Sequence, residues 1–369
     1  MLAIPALSYI CHQALLWGVP VTRYVWFAIA AGLAILLLSK MTELPPQSLF
    51  VEDGHIGSGH YAVAKRGASG DSLFFGPVDG SPSLEVRSQG SLSDPFIIDP
   101  SRFLVVEQST GKTPDFRLLE IEISGASISC RRLVESKKYI GNPIVPKGPR
   151  SGDILFFSGR YNPDASGPSV SSFRMVMLRD GKVSFFSGPT FLSIGRLAQI
   201  GDQRFFATSF EIQFKDRPNV DLEHSSNLVD IRLDGTKLEA TPLAVLEKPL
   251  EDVTAITSSV KAELAFIMWY EIKYGVQAYI SIIQSSGYKE LERVVLPKGR
   301  NYSSLFADSP SGDPLKAHIL SVDEEVEGRD GVFTISEFSG KGLINERVVN
   351  LKAAMSMDTA SCSAAATIF

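Results

Sequence analysis

The sequence predicts an all-β fold, a β-propeller of six four-stranded blades, preceded by one N-terminal transmembrane helix. Three observations predict it. From about Gln47 to Lys352 helical periodicity is almost absent, and short alternating or wholly apolar runs recur between Gly, Pro, Ser and Asp. Within that region a glycine-bearing turn joins two such runs six times. Ahead of it stands one uninterrupted apolar stretch, Tyr24 to Ser39, closed by Lys40.

That stretch has no proline and, before Lys40, no ionisable side chain except the Tyr24 phenol. In lipid such a run satisfies its backbone only as a helix. At roughly 1.5 Å per residue it covers most of a hydrocarbon core of about 30 Å. Residues 24–40 are therefore expected to span a bilayer, with Tyr24 and Trp26 at the interface. Residues 1–23 form a separate lead, broken by Gly18 and Pro20. An interfacial helix, part of a longer tilted span and an over-extended start are its three readings. Arg23 and the terminal amine, set against Lys40 and Glu43, favour a cytoplasmic N-terminus and a polar part outside the cytoplasm. A cleaved signal peptide is the rival; no A-x-A pattern follows Leu38, which favours an uncleaved anchor. Residues 41–48, with Pro45 and Pro46, form a short stiff linker.

Residues 49–352 carry the repeat. Its turns are Asp79-Gly80, Ser124-Gly125, Asp180-Gly181, Asp234-Gly235, Ser286-Gly287 and Ser339-Gly340, with glycines 45, 56, 54, 52 and 53 positions apart. Asp-Gly suits a two-residue hairpin turn, which needs positive φ. Before each turn lies an apolar run suited to an inner strand: Tyr61–Ala64, Phe103–Val106, Ile154–Phe157, Arg204–Ala207, Leu264–Met268 and Ala317–Leu320. Strands sandwiched between neighbouring blades are apolar on both faces, whereas outer runs such as Lys182–Phe185 and Lys237–Ala240 alternate. Longer loops, Arg160 to Ser172, Lys215 to Ser226 and Asp323 to Asp330, fall between second and third strands. Five or seven blades stay open as alternatives, because the unit ending at Gly80 is short. A β-sandwich pair is the competing fold and does not predict so even a spacing. The tail, 353–369, is either loose or a closing strand beside the first blade.

In this pattern the chain resembles six-bladed propellers of TolB-like and WD-like repeats, over roughly Leu49 to Leu351, without the Trp-Asp dipeptide of true WD repeats. One unit, Ser93-Asp94-Pro95-Phe96 followed by Phe103-Leu104-Val105-Val106-Glu107, is similar to furanosidase-like and glycosyltransferase-associated propellers. That resemblance implies an axial carboxylate at Asp94, working with a Glu such as Glu107 or Glu211. Read from the residues alone, Asp94 caps a turn and Pro95 starts an edge strand.

Other side chains offer less. His55 and His60 flank Gly57-Ser58-Gly59, but no third ligand is near and no helix follows, so a turn before the first inner strand is expected. His318, on an inner strand, reads as a buried imidazole, and Asp323–Glu327 as a solvated acidic loop. Trp269 and Tyr270, with Tyr274 and Tyr279, suit either a sugar platform or packing between blades. Cys11, Cys130 and Cys362 are odd in number and far apart; isolated thiols are expected, without a disulfide framework or a metal site.

The 369 residues are 44% apolar, enough for a real core, and the net charge of −5 with scattered basic residues argues against a nucleic-acid partner. No Walker loop, nucleophile elbow or Ser-His-Asp order appears, and no cofactor is implied. The sequence names no reaction. Its leading reading is a membrane-anchored extracytoplasmic propeller that binds or scaffolds a protein or carbohydrate on one face. The alternative is a carbohydrate-active propeller using axial carboxylates.

Overall fold

Each glycine turn folds one strand back on the last, so that consecutive strands build six antiparallel meanders in sequence order. The computed structural model describes residues 54–364, 367 and 368, apart from 68, 162–169, 209–210, 214–227, 244–251, 260–262, 272–276, 307–316, 324–331 and 340. All of them lie in one unit, Leu49–Phe369. The expected lead 1–23, membrane helix 24–40 and linker 41–48 fall outside the described residues. Among the described residues no helix is long and apolar enough to cross a membrane.

Blade 1 is β1 (His55–Gly57), β2 (His60–Lys65), β3 (Ser72–Pro77) and β4 (Ser83–Arg87). Blade 2 is β5 (Ser91–Asp99), β6 (Arg102–Gln108), β7 (Phe116–Ser124) and β8 (Ser127–Ser136). Blade 3 is β9 (Tyr139–Ile144), β10 (Ile154–Tyr161), β11 (Val170–Arg179) and β12 (Lys182–Phe185). A side branch, β13 (Thr190–Ser193), pairs with β11 at Phe173↔Phe191. Blade 4 is β14 (Leu197–Gly201), β15 (Arg204–Thr208), β17 (Leu228–Asp234) and β18 (Lys237–Pro242); β16 (Glu211–Gln213), between its second and third strands, pairs with β13 instead. Blade 5 is β19 (Asp252–Ser259), β20 (Leu264–Glu271), β21 (Gln277–Gln284) and β22 (Lys289–Val295). Blade 6 is β23 (Arg300–Phe306), β24 (Ala317–Asp323), β25 (Val332–Phe338) and β26 (Leu343–Asn350).

All six expected inner runs are second strands, and the reason for their composition is visible in the cores. Alternate residues of one strand serve two different seams: in β2, Ala62 packs toward blade 2, while Tyr61 and Val63 pack toward blade 6. Six apolar clusters result, one per seam. Their landmarks are Phe75 with Phe103, Phe116 with Phe156, Phe157 with Phe205, Phe206 with Ile267, Met268 with Phe338, and Phe333 with Tyr61. The last of these closes the ring by packing and by the Arg347 Nη1 hydrogen bond to the Val78 carbonyl at 3.0 Å; among the described residues blade 6 takes no strand from the N-terminal end.

The turns behave as their dipeptides require, with one exception. Gly80, Gly125, Gly181 and Gly235 carry φ of +82°, +59°, +71° and +56°. At Ser286-Gly287 the positive φ falls one residue later, on Tyr288 (+54°). Gly340 lies outside the described residues. Because each blade is an antiparallel meander, connections between second and third strands share one face with the blade-to-blade connections. The glycine turns occupy the opposite face.

The tail takes the second of its two readings. β27 (Ala353–Asp358) adds to the outer edge of blade 1 in parallel with β4, and β28 (Thr367–Ile368) adds in parallel to β8 of blade 2. Between them Cys362 forms a disulfide with Cys130 of β8, their Cα atoms 4.6 Å apart. The expectation of isolated thiols is wrong for this pair. Separation along the chain, 232 positions, said nothing about distance once the ring had brought the tail back to its first blades.

Candidate functional site at the axial mouth

In each blade the first strand is the innermost, and first strands of neighbouring blades meet around the axis. Blades 1 to 4 contribute His55 and Tyr139, which open β1 and β9, Arg196 just before β14, and Asp94 with Phe96 within β5. The His55–His60 segment is not merely a turn preceding a strand. It is the first hairpin of blade 1, with Ser58 (+50°) and Gly59 (+73°) both at positive φ and His55 on the innermost strand.

Asp94 does not cap a turn. It lies within β5, at a bulge between Ser93 and Phe96, with φ of +47°. β5 is an edge strand, as Pro95 requires, but Pro95 lies in its middle and does not start it, and the bulge absorbs the missing N–H. A bulge re-aims a side chain, and here the Tyr139 hydroxyl at the head of β9 donates to Asp94 Oδ2 at 3.4 Å. The Tyr139 ring is itself held edge-on by Phe116 and Phe173.

Arg196 stands just before β14, in the blade opposite blade 1, and its Nη1 donates to the Gly54 carbonyl at 2.8 Å across the axis. Gly195 allows this approach: its N–H donates to the Thr208 carbonyl at 2.7 Å, and a Cβ there would collide with Thr208 Oγ1. His55 accepts the Ile97 N–H on Nδ1 at 3.3 Å, which assigns its proton to Nε2, and its ring lies 5.1 Å from that of Phe96. Desolvation, helped by the Arg196 charge, lowers its pKa to about 3. An unfolded chain takes up a proton at this position below about pH 6.5, and the folded one does not. Stability is therefore expected to fall as pH drops from about 6.5 toward 3, with no His55 contribution above that window. Urea midpoints across it should fall less steeply for His55→Gln than for the parent protein.

The other sequence candidates lie elsewhere. Glu107 is not axial. It is buried where blade 2 meets the tail: Oε1 accepts from Ser88 Oγ at 2.6 Å and Thr359 Oγ1 at 2.5 Å, and Oε2 from Arg117 Nη1 at 3.1 Å. Glu211 is on β16, in the side branch, and its side chain lies outside the description. Trp269 and Tyr270 form no open platform. Trp269 is buried, stacks on Tyr279 at 4.7 Å and donates to Ser281 Oγ at 3.0 Å. The Tyr270 hydroxyl donates to the Tyr302 carbonyl at 3.0 Å and accepts the Tyr302 N–H at 2.7 Å, joining blades 5 and 6. The doubly apolar character of second strands accounts for both burials.

Sequence reasoning missed Tyr139 and Arg196. The signal was positional, since Tyr139 opens, and Arg196 directly precedes, the first strand of a repeat unit. Among the described residues no three His, Cys, Asp or Glu side chains gather as a metal site.

No family model and no curated protein matches the sequence. Solved structures do. TolB from Acinetobacter baumannii is 13% identical, with a TM-score of 0.50 over 79% of this chain and 66% of that one. This chain therefore spans just under two thirds of that structure's length. The β-propeller domain of the Trilobed protease from Pyrococcus furiosus is 10% identical, TM-score 0.42, over 82% and 97% of the two chains. The WD40 domain of Toxoplasma gondii coronin is 9% identical, TM-score 0.40, over 83% and 73%. The likeness to TolB, at 13% identity, is likeness of fold, and it agrees with the strand order: the chain is a six-bladed β-propeller of TolB-like architecture.

Proposed function

We propose that the protein is a membrane-anchored, extracytoplasmic binding module that receives a protein or carbohydrate partner at the axial mouth. The observation that carries this reading is the chain of contacts that His55, Asp94, Phe96, Tyr139 and Arg196 make along the axial strands of four blades. A donor, an acceptor, a cation and aromatic walls placed on rigid strands suit recognition. Location is supported by two features. The apolar run 24–40 suits an anchor, and the Cys130–Cys362 disulfide suits an oxidising compartment.

Asp94 favours the second reading, a carbohydrate-active propeller, because it is an axial carboxylate aimed by a bulge at positive φ. Against it, retaining and inverting glycosidases need a partner carboxylate about 5–10 Å away. Glu107 is engaged at the tail instead.

Asp94→Asn separates the two readings, since Asn tolerates the left-handed conformation and keeps an acceptor. In the binding reading the variant is folded and largely functional, and a photo-crosslinking residue in place of Phe96 captures a discrete partner that Arg196→Glu loses. A folded Asp94→Asn protein without any function would instead favour the enzyme. For the location, protease added to right-side-out vesicles is expected to digest the propeller; complete protection would reverse the orientation.

A further inference from the structure

The C-terminal tail crosses from blade 6 over blade 1 to blade 2, and neither blade needs it. Blades 1 and 2 each have four strands of their own before β27 and β28 arrive. Of the tail residues from Ala353 to Ala364, only Thr359 and Cys362 are buried, with Met355 and Met357 half-buried against the seam between blades 1 and 2. Its fixings are few. The Lys352 carbonyl accepts from Ser83 N at 2.9 Å and Ser83 Oγ at 3.0 Å, and short parallel ladders follow. Ser363 N donates to the Cys130 carbonyl at 3.1 Å, and Arg132 N to the Ser363 carbonyl at 3.3 Å. Thr359 ties to Glu107, but that carboxylate keeps Ser88 and Arg117 if Thr359 leaves, so release strands no buried charge. The only covalent fixing among the described residues is the disulfide, whose Cys130 side is partly exposed while Cys362 is buried.

We propose that this tail is a redox latch: a dithiol reductant opens Cys130–Cys362 and frees β27 and β28 from the outer edges of blades 1 and 2, while the six-bladed ring stays folded. One thiolate of the dithiol attacks the Cys130 sulfur, the S–S bond breaks, and Cys362 leaves as a thiolate that takes a proton. The second thiol of the reductant then attacks the mixed disulfide. Cys130 is released and protonated, and the dithiol is oxidised to its own disulfide, so two electrons pass to the protein. What release uncovers is chemically specific. The edges of β4 and β8 regain unpaired N–H and C=O groups, the kind of edge that accepts an incoming strand.

Hydrogen exchange on the full-length protein in detergent, with and without dithiothreitol, tests the latch. Alkylation should count two new thiols after reduction. The tail-facing amides of β4 and β8 should then exchange at least about ten-fold faster, with β15, β20 and β24 unchanged. Cys362→Ser should show the same pattern without reductant, and so should a chain ending at Lys352 in the strands that remain. Unchanged protection in β4 and β8 after both thiols have been counted would overturn the proposal, because the tail would stay docked without its bond. Loss of protection in all six blades would overturn it equally, because the bond would then hold the fold and not the tail.

Discussion

Asp230→Ala is expected to lower the free energy of unfolding by about 3–5 kcal/mol, the usual result of stripping one partner from a buried charge network. Asp230 is 1% exposed on β17, and its carboxylate is the hub of the seam between blades 4 and 5. Arg204 reaches it with Nε at 3.0 Å and Nη2 at 3.0 Å, and Arg232 with Nη2 at 3.3 Å. The Tyr288 hydroxyl, from the irregular turn of blade 5, donates to the same carboxylate and accepts from Arg204 at 2.6 Å. Removing the carboxylate leaves the partly buried Arg204 beside a phenol with nothing to neutralise it. The double variant Asp230→Leu/Arg204→Met should recover part of the loss, since it removes both charges and keeps their volume. Denaturant midpoints measure both. A loss below about 1 kcal/mol for the single variant would mean that the network is a surface pair in energetic terms.

Phe103→Ala is expected to cost a similar 3–5 kcal/mol, for a different reason. The ring is fully buried between blades 1 and 2 and stacks on Phe75 at 4.6 Å, among Leu73, Leu92, Val105 and Leu119. β-Strands on both sides are held by their own ladders, so the site cannot collapse to fill the void. Leu291→Ala is the matched control. That side chain is 50% exposed on the outer strand of blade 5, and its loss should change stability by no more than about 0.5 kcal/mol. Equal effects from the two substitutions would contradict the assignment of the core to the seams.

Much of this architecture was legible in the sequence because it rests on local rules. A strand packed on both faces is apolar at every position, and a two-residue hairpin needs positive φ, so Tyr61–Ala64 and Asp234-Gly235 announce themselves. The side branch of β13 and β16 was not legible, since a four-residue run such as Thr190–Ser193 carries no period that identifies its partner. Glu107 was misread for a related reason. Its type and its place after an apolar strand fit an axial acid, but its partner Thr359 is 252 positions away and arrives only with the tail. Arg196 reads as an ordinary surface arginine until blade 4 is seen to stand opposite blade 1. Pattern reports that a residue is buried or turned; only closure of the ring reports what it meets.

The seam between blades 6 and 1 also sets an order in time. Every other seam joins neighbours in sequence, so it can form from contacts close along the chain as each blade is completed. Blade 1, the first of the six to be synthesised, shows Ile56, Tyr61, Val63 and Phe74 on the flank that awaits blade 6, the last. Until Phe333 and Ile335 arrive, that apolar flank has no native neighbour, and a chain stopped short of blade 6 would carry it uncovered. Cys130 likewise waits for Cys362, 232 positions further along and beyond the sixth blade. Its native bond can form only after the sixth blade has been made, so the disulfide marks a completed ring.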